Sequence, residues 1–424
     1  MDKKSTTRLA VPLLVVLLVA TVASLVHVEA TPGLTERSGL VRGWDFQQFY
    51  LAGLMLNRGQ ANELYDADRF QAVQRELFPV DEQNIPYLPL YPPVTGLLAA
   101  PLAWLPYTHA LGLWWLLNTV CFATAGWILV RHSGLSEGWR WTVALAIAGC
   151  YPFFMALRAG QISPVLLLVA VAGLALLRRE RNTFGGLALS LLMLKPQFAA
   201  GMLLWLLLRR DWRACAGFLV GIMIQVAAVA VAVGPTVVTD YVWSTSTYLS
   251  HSQFYIFPPG WVHSLAGTLA NLLALVGLSG ADVGGVCKVV HAAVLLAMAA
   301  TVAVASWRKR TAVTHPGDSA WEWRYQHSVA VLFMLLLTPH LLLYDLVLLL
   351  VPMVYLLETP RWRLSLVLYI TTGAVVMPLY AWADVSLVPF VLLAILYGLA
   401  GGAAIGTPIG ESSEFFAVPL KNQI

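Results

Sequence analysis

The chain has 424 residues, 59% of them hydrophobic and only 11% charged, with a mean hydropathy of +0.72. No soluble core absorbs that much apolar sequence; a bilayer does, because each spanning helix satisfies its own backbone and turns apolar side chains to lipid. The formal net charge of +4 is spread over short loops, with no basic run or basic helix of the kind that binds nucleic acid. Cys121, Cys150, Cys215 and Cys287 each lie in an apolar run without CxxC spacing, which argues against a disulfide framework and a zinc site.

In chain order, hydrophobic runs fall at roughly 10–28, 109–130, 141–157, 163–177, 184–194, 197–208, 214–233, 283–306, 327–340, 343–357, 364–380 and 386–403. They predict an all-α polytopic membrane protein of about 12 transmembrane helices, one integral domain over 1–403 and a short cytoplasmic tail, 404–424. The first run has a basic start and an apolar middle but no clean small-residue cleavage site, so it is expected to stay as an anchor. The short runs 184–194 and 197–208, joined by Lys195-Pro196-Gln197, are read as two helices meeting at a cavity rather than one kinked helix.

With the N-terminus in the cytoplasm, 18 of the 26 Lys and Arg fall in inside segments, the bias that orients helices on insertion. The expected location is the cytoplasmic membrane, with residues 29–108 and 234–282 as long outer segments. Prolines 92, 93, 101 and 106 make the end of the first a re-entrant or interfacial element. In the second, Val262, Leu265, Leu269, Leu272 and Val276 recur at helical spacing, as in a helix lying in the membrane surface. Trp114-Trp115, Trp139 with Trp141, Trp321 with Trp323, and Trp382 read as interfacial belts.

On this topology Asp45, Arg158, Gln161, Lys195, Gln197, His251, His263, His340, Tyr344 and Asp345 all face outward. Singly, each has a bland reading: Arg158 and Lys195 as snorkelling anchors, Asp345 as a carboxylate at a helix N-terminus. As a set, they hold an anionic group beside a hydroxyl, with cations to balance phosphate charge and a carboxylate to take an alcohol's proton. A transporter or flippase of a lipid-linked or amphiphilic substrate is the alternative, although such proteins place ionisable groups near the bilayer midplane in helices broken in both halves.

Trp44-Asp45-Phe46-Gln47-Gln48-Phe49-Tyr50-Leu51-Ala52-Gly53, Leu64-Tyr65-Asp66, Tyr91-Pro92-Pro93, Arg158-Ala159-Gly160-Gln161, Leu194-Lys195-Pro196-Gln197, Thr338-Pro339-His340 and Tyr344-Asp345-Leu346 appear in one order. That series resembles glycosyltransferase family 87, a group of GT-C-fold membrane enzymes. The resemblance implies a polyprenyl-phosphate-linked hexose donor, usually mannose, and a glycolipid or glycan acceptor hydroxyl at the outer membrane face. It implies Asp45 as catalytic base, and it maps the family's Pro-His histidine to His340. Arg158, Lys195 and His340 are then expected at the donor phosphate, and Tyr91, Gln161, Gln197, Tyr344 and Asp345 at the sugar or acceptor. Where relatives often carry Asn-Gln-Ser, this chain has Trp261-Val262-His263-Ser264, so acceptor contact there is not carried over.

A lipid phosphate leaves without the metal that a nucleotide diphosphate needs, so neither metal nor cofactor is expected. EDTA is accordingly predicted to leave glycosyl transfer unchanged; activity lost with EDTA and restored by Mn²⁺ or Mg²⁺ would refute this.

Overall fold

The computed structural model describes residues 3–78, 86–250, 262–278, 281–311, 319–359, 361–373, 380, 383 and 385–402. Among these, regular structure is helical, with isolated antiparallel bridges at Thr35–Val41 and Val262–Leu342. His251, Trp382 and the segment 404–424 lie outside the described residues.

The apolar helix α1 (Lys3–Glu29) leads into a first long segment that folds onto the bundle. Its helix α2 (Phe46–Asn57) is not among the hydrophobic runs, yet Phe46, Phe49, Tyr50 and Gly53, at i, i+3, i+4 and i+7, are all buried. Asp66 caps α3 (Ala67–Leu77) by accepting from the Asp68 and Arg69 amides. Pro92 and Pro93 start α4 (Pro93–Ala99), where a proline's missing N–H costs nothing. The helices α2 and α4 meet at Gly53, where a Cβ would stand 2.7 Å from the Ala99 carbonyl carbon. The proline-rich end of this segment is thus a short helix packed on another.

Then come α5 (Tyr107–Arg131), α6 (Glu137–Ala148), α7 (Tyr151–Ala159) and α8 (Ser163–Arg178). The helix α9 (Asn182–Leu189) continues as a 3₁₀ turn, Ser190–Leu194, and α10 (Pro196–Leu208) and α11 (Trp212–Val233) follow. The second long segment holds α12 (Thr236–Ser250) and α13 (Leu265–Leu275). The remainder is α14 (Ala281–Thr311), α15 (Ser319–Leu337), a 3₁₀ turn Leu343–Leu349, α16 (Leu350–Leu357), α17 (Trp362–Thr371) and α18 (Val388–Gly402).

Five of the described helical stretches are long and apolar enough to cross a membrane alone: Val11–Glu29, Tyr107–Arg131, Glu137–Ala159, Trp212–Val233 and Gly285–Val304. Six further apolar helices have 10–17 residues. At about 1.5 Å per residue, a 13-residue helix covers only ~20 Å of the ~30 Å hydrocarbon core. Among the described residues, then, five helical stretches rather than about 12 are long enough to span singly.

The pair around Lys195 shows how short helices arise. Pro196 bars the preceding residue from the α region, and Lys195 sits at φ −128°, ψ 93°. The helix α9 runs antiparallel to α8, with Gly173 against Leu189 and Gly185 against Leu177, and parallel to α11, with Gly217 against Thr183 and Gly221 against Ser190. Because α9 and α11 run the same way, α10 returns the chain, and Lys195 lies at the tip of a two-helix hairpin. Two helices meeting at Lys195 is the arrangement read from the sequence.

The start of α13 is buried on all sides, Val262, Ser264, Leu265 and Thr268 alike, while Leu275, Val276 and Leu278 at its end are exposed. Tertiary pairing decides this: the His263 amide donates to the Leu341 carbonyl at 2.7 Å, drawing the helix start into the bundle.

On α9, a Cβ at Gly186 would lie 1.9 Å from the Ala214 carbonyl oxygen of α11. Gly186→Ala is expected to destabilise the protein by about 1–3 kcal/mol, read as a lower thermal midpoint in detergent.

Candidate functional site

The site begins where α2 starts against the end of α7. Asp45 stands at the N-cap of α2 in the αR region and makes no side-chain cap bond, so its carboxylate is free to face the interior. The helix α7 ends at Gly160 in the left-handed region (φ 71°), where a Cβ would stand 2.6 Å from the Phe46 Cβ. The Asp45 amide donates to the Ala159 carbonyl at 2.8 Å, and the Trp114 indole donates to the Gly160 carbonyl at 2.8 Å. These bonds set Gln161 directly against Asp45. They also remove Trp114 from the interfacial belt: it is 4% exposed and belongs to the core, whereas Trp141, 73% exposed, fits the belt reading.

Gln161 donates from Nε2 to Asp45 Oδ2 at 2.7 Å, and the same nitrogen lies 3.0 Å from the Tyr91 hydroxyl and 3.1 Å from that of Tyr344. The Tyr91 hydroxyl donates back to Gln161 Oε1 at 3.2 Å. Through Gln161, Asp45 thus shares one cluster with the hydroxyls of Tyr91 and Tyr344. Burial pushes the Asp45 carboxyl above its ordinary range, against the opposing pull of Gln161, Lys195 and Tyr344. The result is an enclosed carboxylate ringed by neutral donors, suited to accepting a proton.

Lys195 comes up beneath this ring. Its ammonium pairs with Asp345 Oδ1 at 2.6 Å, with both side chains at most 4% exposed. Ser163, at the start of α8, donates to the same Oδ1 at 2.5 Å, and the ammonium stands 4.8 Å from the Tyr344 ring centroid. Neither charge has water beside it, so each is the other's counter-charge.

Arg158 turns elsewhere. Its guanidinium makes a two-pronged bond to Glu36, at 2.9 and 2.5 Å, and lies 5.2 Å over the Trp44 ring. It stands at the rim beside Asp45's chain neighbour, not in the Asp45 ring. His340 is half-buried in the turn after α15, and Gln197 is half-buried in the first turn of α10 with no hydrogen bond to a described residue. Thus Asp45, Tyr91, Gln161, Tyr344, Lys195 and Asp345 converge, and Arg158 is spent on Glu36 instead. Ser163 and Glu36 were not legible beforehand; a serine before Pro164 carries no pattern that marks a site. Among the described residues no three His, Cys, Asp or Glu side chains gather as a metal cage would.

Residues 90–339 match the family model described as glycosyltransferase family 87. The chain belongs to glycosyltransferase family 87. The matched stretch of this family 87 member contains Tyr91, Arg158, Gln161, Lys195 and Gln197; Asp45 precedes it, and His340, Tyr344 and Asp345 follow. The chain is 30% identical over 173 residues to an alpha-(1->3)-arabinofuranosyltransferase of Mycobacterium tuberculosis, in strains CDC 1551 / Oshkosh and ATCC 25618 / H37Rv alike. That likeness covers 38% of this chain and 40% of the relative, so the chain spans less than half the length of the relatives it matches. No solved structure matches the chain. Family membership and the five membrane-length apolar helices fit a multi-pass membrane protein.

Removing one partner of the buried pair leaves an uncompensated charge. Asp345→Asn is expected to cost about 3–5 kcal/mol, whereas the double variant Lys195→Met with Asp345→Leu recovers most of it. Thermal unfolding in detergent checks both; a single variant as stable as the native protein would refute the pairing argument.

Proposed function

We propose that this glycosyltransferase moves a sugar from a polyprenyl-phosphate-linked donor to an acceptor hydroxyl at the outer face of the cytoplasmic membrane, inverting the anomeric centre. The observation that carries the proposal is Asp45, a buried carboxylate held by neutral donors with a paired lysine close by. Asp45 takes the proton of the acceptor hydroxyl as its oxygen attacks the anomeric carbon. The bond from that carbon to the phosphate oxygen breaks, and the departing polyprenyl phosphate keeps the electron pair.

Charge growing on the phosphate needs cations, and Lys195 is the cation that acts on Asp45's own environment. Arg158 and His340 serve the same phosphate. Tyr91, Gln161, Gln197, Tyr344 and Asp345 orient sugar and acceptor hydroxyls. The lipid phosphate leaves without a metal.

Mannose is the donor sugar that the ordered motif series favours. An arabinofuranose is the second reading, favoured by the relative named for arabinofuranosyl transfer. Transport of a lipid-linked substrate draws no support from membership of a glycosyltransferase family.

Purified protein incubated with radiolabelled polyprenyl-phosphate-mannose or polyprenyl-phosphate-arabinose, and a membrane lipid extract, is expected to form a labelled product. Asp45→Asn should lower turnover by about 10²–10⁴-fold with an unchanged thermal midpoint; native turnover by that variant ends the assignment. Because the base must be deprotonated and its pKa is raised, activity should fall with decreasing pH at a midpoint above the ordinary aspartate value of 3.8. A midpoint at or below that value would contradict it.

A further inference from the structure

We infer that Ser163 is a positioning residue for glycosyl transfer: through Asp345 it holds the Lys195 ammonium at a fixed distance from Asp45. The inference rests on Asp45 as the base and Lys195 as the phosphate cation, and it says what keeps the two in register.

The first observation is where the hydroxyl goes. A serine at the start of a helix ordinarily accepts from the amides of its own first turn. Ser163, the first residue of α8, is fully buried and instead donates to Asp345 Oδ1 at 2.5 Å, 182 residues along the chain. The same oxygen takes the Lys195 ammonium at 2.6 Å, while Asp345 Oδ2 accepts from the Leu342 amide at 3.5 Å. A carboxylate turns about a broad terminal torsion, so one donor alone does not fix which oxygen it presents. Two donors, one from α8 and one from the hairpin tip, do fix it.

The second is what the ammonium has left. Of its three N–H groups, one is spent on Asp345 and a second reaches Ser163 Oγ at a long 3.4 Å. The Tyr344 and Phe198 ring centroids stand 4.8 and 5.8 Å away. At least one N–H thus has no oxygen partner among the described residues, and a phosphate oxygen can take it without breaking the ion pair.

The third is the link to the base. Gln161 and Ser163 lie two residues apart in one turn, and Gln161 donates to Asp45 Oδ2 at 2.7 Å. That turn is stiff. Gly160 is left-handed, the Gln161 amide donates to the Ala156 carbonyl at 2.8 Å, and Pro164 fixes the backbone where α8 starts. It therefore touches the base through Gln161 and the cation's partner through Ser163. In an inverting displacement the attacking and leaving oxygens stand on opposite sides of the anomeric carbon. Base and cation then work only at a set separation, held to within about 0.5 Å. Without the Ser163 hydroxyl the Asp345 carboxylate turns, and the flexible stem of Lys195 follows it.

Ser163→Ala tests this beside Ser163→Thr, which keeps the hydroxyl, using purified protein, the two radiolabelled donors and the membrane lipid extract. Ser163→Ala is expected to lower kcat about tenfold to a hundredfold and to leave the acceptor KM unchanged. Ser163→Thr should restore most of the native kcat. A second arm needs no substrate. Ser163→Ala should lower the thermal midpoint of the native protein but not that of the apolar variant Lys195→Met with Asp345→Leu, because the serine acts through the ion pair. Native kcat in Ser163→Ala, no recovery in Ser163→Thr, or an equal fall in midpoint in both backgrounds overturns the inference. Native turnover by Asp45→Asn, or no product from the native protein with either donor, would instead defeat the transfer reading on which it rests.

Discussion

Lys195 and Asp345 are 150 residues apart in sequence and meet at 2.6 Å with almost no exposure. Few contacts constrain a membrane-embedded fold as much, because neither charge has water to fall back on. The pair fixes the tip of the α9–α10 hairpin against the 3₁₀ turn at Leu343–Leu349, and Ser163 adds the start of α8 to the same oxygen. Tyr344, next in chain to Asp345, then has its ring over the ammonium and its hydroxyl on the Asp45 ring. One ion pair thus sets the floor of the site.

The roof is built by a different device. Gly160 ends α7 where no Cβ fits against Phe46, and the amide of Asp45 reaches the carbonyl of Ala159. A left-handed glycine turn and one backbone bond bring the carboxylate and the amide of Gln161 together. The chemistry therefore rests on backbone geometry at one side and on electrostatics at the other. The proposed glycosyl transfer asks for both: a carboxylate held in place and a cation fixed close to it.

Several features were legible from residues alone. The apolar runs at 109–130 and 214–233 became α5 and α11 with boundaries two residues apart or fewer, since long apolar helices have no competing structure in lipid. The break at Lys195-Pro196 was legible because proline forbids the helix to continue. The helix α2 was not, because its buried aromatics are interleaved with Gln47 and Gln48, which a hydropathy window averages away.

The sequence by itself determined a membrane protein, the order of its polar residues and the identity of those that resist an apolar setting, because hydropathy and charge are properties of the residues. Which cation answers which carboxylate was decided only by tertiary structure. Arg158 and Lys195 looked equivalent along the chain, yet one is spent on Glu36 at the rim and the other on Asp345 below the site. Pairing depends on distances between residues far apart in sequence, and those distances are set by packing.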